Sequence, residues 1–169
     1  MRVEFVVPEA KLTAAVAALR SAHSYEEPAF DLYPLKSKRG TGGEGRIGEL
    51  ADAVPLRDFA EIVKRTCRAN AIQFVGAGDR PVKLVALACG AAGEYLHDAI
   101  RAKADAFVTG EARFHDCLAA EAAGIGLVLP GHYASERRGV EDLAERLKAA
   151  FPTAEVWASR SERDPLTSA

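Results

Sequence analysis

The sequence predicts a layered α/β protein, with helices packed on a largely parallel sheet. Short β-branched or apolar runs alternate with stretches of helical period along most of the chain. Apolar residues fill 49% of the 169 positions, enough to build a core. One run, PVKLVALACG at 81–90, is nearly continuous in apolar residues, as expected of a strand buried on both faces.

In order, VEFVV (3–7) reads as a strand, and Pro8 stands where a helix can begin without losing a hydrogen bond. Leu12, Val16 and Leu19 recur at helical spacing through 10–22. AFDLYPL (29–35) reads as a second strand, at an edge or strand end because of Pro34, so the first 35 residues read as a β-α-β unit. Five glycines between Gly40 and Gly48 mark a loop, read as a flexible connection; no P-loop Lys-Ser or Lys-Thr follows to favour phosphate. Residues 55–68 form a helix with Phe59, Ile62, Val63, Thr66 and Cys67 on one face. Strands follow at 71–76, 81–90, 105–110 and 125–130, and helices at 93–104 and 112–123. A last helix over 134–151 turns Val140, Leu143 and Leu147 inward, AEVWAS (154–159) closes as a strand, and the polar tail is irregular.

Several function classes are excluded or disfavoured. A net charge of -2 offers no field for nucleic acid, and the basic cluster Lys36, Lys38, Arg39 is weak. No run reaches ~18 uninterrupted apolar residues, so no membrane-spanning helix is expected. Three cysteines, no CxxC pair and no apolar leader point to a cytoplasmic protein without a disulfide framework. A Ser-His-Asp hydrolase lacks its GxSxG elbow. Cys117 and His115, two apart on a helix, point apart. Cys89, at a strand end before a helix, is either an acidified thiol or an ordinary buried cysteine.

Chemistry in an open α/β sheet gathers at the carboxyl ends of strands, and three such ends carry suggestive residues. In ACGAAGEYL, Gly90 and Gly93 serve either tight turning, the commoner case, or anion binding by backbone N–H groups. In VTGEARFHD, Glu111 and His115 share a helical face; His115 serves either a structural or a site role, and Glu111 either a site or the positive end of a helix. In PGHYASE, His132 and Glu136 lie four apart where a strand hands over to a helix. They could bind a divalent ion such as zinc, manganese, iron or nickel. Alternatively Ser135 caps the helix and Glu136 decorates its first turn. HSYEEP (23–28) reads as an ordered turn with a structural or oligomer-contact role, and His97 as a packed or surface residue.

VTGEARFHDCLAAEAAGIGLVLPGHYASE, with SRSERDP after it and PVKLVALACGAAGEYLHDAI before it, resembles the Nif-three-like family. Its members are also called dinuclear metal centre proteins or GTP cyclohydrolase I type-two homologues. SAHSYEEPAFDLYPL with GEGRIGEL is similar to the CutA-like or PII-like domain inserted in longer members. The resemblance implies a CutA-like (ferredoxin-like) β-α-β segment at 1–50 and a Nif-three-like α/β domain at 51–169. It also implies that His132 and Glu136 ligate metal and that Glu111 and His115 line the same cavity; in a hydrolase, Glu111 or His115 then handles protons or orients water. The family's N-terminal half, which brings a His pair and an Asp, is expected to be missing, since no two histidines are adjacent here. The resulting expectations are a metal-dependent hydrolase of a nucleotide or other small molecule, in a homo-oligomer, with a separate chain or neighbouring subunits completing the site. The alternative is a non-catalytic oligomeric binding or regulatory module with a vestigial metal site.

Overall fold

The computed structural model describes residues 3–35 and 43–167, in two compact units that divide between Gly40 and Thr41. The expected cut at 50/51 falls inside strand β1 (Gly45–Pro55), which is continuous through that point.

The first unit contains a 3-10 turn at Glu9–Lys11 and helix α1 (Leu12–Ala22). Neither 3–7 nor 29–35 is a strand. β-Branched composition makes a segment suitable for a sheet, but only a ladder partner makes it a strand. The expected β-α-β unit is therefore reduced to its helix, none of whose residues is buried. At its end the His23 and Tyr25 rings meet edge-on at 5.2 Å, and Tyr25 N–H donates to His23 Nδ1 (3.0 Å), an ordered turn. Lys36, Lys38, Arg39 and the start of the glycine-rich stretch lie outside the described residues.

The second unit is a five-stranded sheet in the order β1-β3-β4-β5-β2. Its strands are β1, β2 (Gln73–Val75), β3 (Pro81–Ala88), β4 (Ala106–Val108) and β5 (Gly126–Leu129). β3, β4 and β5 are parallel, while β1 and β2 flank them antiparallel, so the sheet is mixed. β1 rises out of the expected glycine loop because Gly45–Glu49 pair with Ala88–Leu84. Tertiary pairing overrides the local glycine signal there. Helix α2 (Leu56–Cys67) buries Leu56, Phe59, Ala60 and Val63 against Val82, Val85, Ala106 and Val128 on one face. Helices α3 (Leu96–Arg101) and α4 (Phe114–Ala123) bury Leu96, Ala99 and Ala120 with Phe107, Ile125 and Leu127 on the other. The result is a sheet between two helical layers. β3 is buried on both faces only in part: Lys83 is exposed, and Leu87 is 42% exposed.

Helix α5 (His132–Ala150) packs beside α2. It buries Ala134 and Ala144, while Val140, Leu143 and Leu147, expected inward, are exposed. AEVWAS is not a strand. Its Ser159 carbonyl accepts from Arg137 Nη2 (2.6 Å), and Tyr133 Oη and Arg137 Nη1 bind Glu162 (3.2 and 2.9 Å). The closing segment is thus fastened to α5 by side chains rather than by a ladder. Cys67, Cys89 and Cys117 are free thiols.

Candidate functional site

The parallel strands β3, β4 and β5 end along one edge of the sheet, where such sheets place their ligands. Backbone bonds lash the three exits together: Glu111 N–H donates to Gly90 O (3.2 Å) and Gly131 N–H to Gly110 O (3.0 Å). Thr109, fully buried, donates from Oγ1 to Gly90 O (3.0 Å) and accepts from Ala92 N–H (3.2 Å). Ser135 Oγ accepts from Gly90 N–H (2.9 Å) and donates to His132 O (2.8 Å). The N–H groups of Gly90 and Ala92 are therefore spoken for by hydroxyls, which favours tight turning over anion binding at this turn. Close approach explains the glycine at 110, where a Cβ would fall 2.6 Å from Ser135 Oγ and 2.8 Å from His132 Cα. Gly90 has φ +71°, the left-handed region.

This scaffold presents His132 between two carboxylates. Glu111 Oε1 lies 2.8 Å from Nδ1, and Glu136 Oε1 lies 3.3 Å from Nε2. A Cβ on Gly90 would stand 2.5 Å from Glu136 Oε1 and 3.4 Å from His132 Nε2, so the Nε2 side of the ring faces the Gly90 backbone. The hydrogen bond that His132 Nδ1 donates to Glu111 raises the His132 pKa above its ordinary 6.5; partial desolvation opposes this, and the Glu136 charge adds to it. The cap alternative also resolves. α5 begins at His132 after Gly131, with no side-chain cap, and Ser135 and Glu136 sit within the helix.

Glu111, His132 and Glu136 are joined, but the two carboxylates address opposite ring nitrogens and do not converge on one point. Among the described residues, no three His, Cys, Asp or Glu side chains form a group that could hold an ion. His115, in the first turn of α4, makes a ring contact with Phe114 (6.2 Å) and is not joined to His132. Asp116 Oδ2 accepts from Arg113 N–H (3.0 Å), closing the start of α4. Cys89 is exposed, and residual desolvation and the Glu136 charge push its thiol up, opposite to an activated nucleophile. Beside Glu111 opens a recess of about 400 Å³, lined by Gly93, Glu94, Ala112, Arg113 and Asp116. Sequence reasoning missed Thr109 and Ser135 as the clamps on Gly90; the hydroxyl residues beside TG and GH at strand ends were the available signal.

The model of the Duf34/NIF3 (NGG1p interacting factor 3) family matches residues 11–165. A Halalkalibacterium halodurans protein named GTP cyclohydrolase 1 type 2 homolog is 36% identical over 170 residues, covering 99% of this chain and 46% of that protein. A Bacillus subtilis protein of the same name is 38% identical over 136 residues, covering 80% and 36%. The crystal structure of a Staphylococcus aureus protein matches with a TM-score of 0.74 at 29% identity, covering 99% of this chain and 55% of that one. A Bacillus cereus protein related to NIF3 matches with a TM-score of 0.70 at 32% identity, covering 96% and 46%. The chain spans about half the length, or less, of these curated relatives. With a family model matching nearly its whole length, the chain belongs to the Duf34/NIF3 family.

Proposed function

We propose that this chain contributes part of a divalent-metal site, with His132 and Glu136 as its ligands, in a protein that hydrolyses a nucleotide or another small molecule. The observation that carries the reading is the placement of His132 Nε2 and Glu136 Oε1, 3.3 Å apart, over the Gly90 backbone at the strand ends. An imidazole and a carboxylate so close suit zinc, manganese, iron or nickel. Such an ion, when bound, supplies Lewis acidity and an acidified water. The chain's own residues position that chemistry: Ser135 and Thr109 fix Gly90 beneath the proposed ligands, and a recess opens beside Glu111. A catalytic site needs about three protein ligands. The remaining ligands therefore come from beyond the described residues or from another copy of this chain.

Metal analysis of the purified protein, with zinc or manganese titrated by calorimetry, tests the reading. Bound metal is expected in the wild type and is expected to be lost in the His132→Ala, Glu136→Ala double variant. A wild type that binds neither ion, or a double variant that binds as well, sinks it.

A second reading, an oligomeric binding module without catalysis, is favoured by the apolar residues Val140, Leu143 and Leu147 exposed along α5. Light scattering together with metal analysis of the wild type separates the two. A stable oligomer in a wild type that binds no metal favours the module.

A further inference from the structure

His132 can carry its neutral-ring proton on either nitrogen, and only a ring protonated at Nδ1 leaves the Nε2 lone pair free for an ion. The two flanking carboxylates compete for that proton. Glu111 Oε1 stands at 2.8 Å from Nδ1, well inside hydrogen-bond range, whereas Glu136 Oε1 stands at 3.3 Å from Nε2, beyond the usual limit. Glu111 is also held by its backbone, whose N–H donates to Gly90 O (3.2 Å), and the adjacent Gly110 packs directly against His132 Cα.

We infer that Glu111 is a positioning residue: it accepts the Nδ1 proton of His132 and so presents the Nε2 lone pair on the Glu136 side. Metal-ligating histidines commonly hand their second N–H to a carboxylate in this way. The inference rests on the metal-binding reading and replaces proton handling by Glu111 with a different role. Glu111 lies on the ring edge opposite Glu136, so its Oε1 is committed to the imidazole rather than offered to the same ion.

The test uses the full chain labelled with ¹⁵N-histidine, with the His132 ring signals assigned by their loss in His132→Ala. Above its titration, wild-type His132 is expected to be protonated at Nδ1. In Glu111→Ala the proton is expected to move towards Nε2, and zinc affinity to fall by roughly tenfold or more. Glu111→Gln, which keeps an acceptor oxygen without the charge, is expected to restore the tautomer and most of the affinity. A purely structural ion pair would lower the melting temperature and leave the tautomer alone. An unchanged tautomer, or unchanged zinc affinity, in Glu111→Ala overturns the inference. If the wild type binds no zinc, the metal reading fails separately, and the tautomer of the metal-free protein still decides whether Glu111 orients the ring.

Discussion

Gly90→Ala probes the site through the backbone beneath it. At φ +71° an L-residue is strained by about 1–2 kcal/mol. The stiffer unfolded chain offsets part of that by about 0.4–1 kcal/mol, so the net loss is about 1 kcal/mol. For a chain of this size that corresponds to a fall in Tm of about 2–4 °C. The steric effect is different in kind. The new Cβ would lie 2.5 Å from Glu136 Oε1, the far end of a flexible side chain, so the carboxylate swings away at little cost in stability. Moving it off the Nε2 side takes away one of the two proposed ligands, hence an expected loss in zinc affinity of roughly tenfold or more. Calorimetric zinc titration and thermal melts measure the two effects independently. In a Glu136→Ala background the same substitution should give no further loss of affinity, because the residue it displaces is already gone. Wild-type zinc affinity in Gly90→Ala, or an equal further loss in the double variant, would refute the placement of Glu136 over Gly90.

Thr109→Val keeps the shape but removes the hydroxyl that binds Gly90 O and Ala92 N–H in a fully buried position. Urea unfolding should show a loss of about 1–3 kcal/mol, with Thr109→Ser much milder; equal stability of Val and wild type would contradict the clamp. For His132, the raised folded-state pKa means that the Glu111 contact contributes to stability fully below the ordinary 6.5, and that the contribution is lost as pH rises through the higher folded value. With the ring 43% exposed, that contribution is small, so an NMR titration reads it better than a melt. The His132 midpoint should lie above 6.5 and fall in Glu111→Ala. Because metal displaces the proton, zinc should bind more weakly at about pH 6 than at about pH 8.

The sequence by itself determined the alternation of α2 to α5 with β2 to β5, because helical period and continuous apolar runs are local patterns that survive without knowledge of neighbours. It also picked out His132 and Glu136, whose four-residue spacing needs nothing but a helix to bring them together. Tertiary structure decided what depends on a partner. Residues 3–7, 29–35 and 154–159 have strand composition and no ladder, while the glycine-rich 45–50 is a strand because β3 offers it one. Val140, Leu143 and Leu147 follow a helical stripe, yet α5 turns alanines inward beside α2. Glu111 and His132 are 21 positions apart and meet because β4 and β5 run parallel and side by side. His115, closer to Glu111 in sequence and on its expected helical face, does not join them. Glu111 lies ahead of α4, which starts only at Phe114, so the helical spacing between the two residues is never realised.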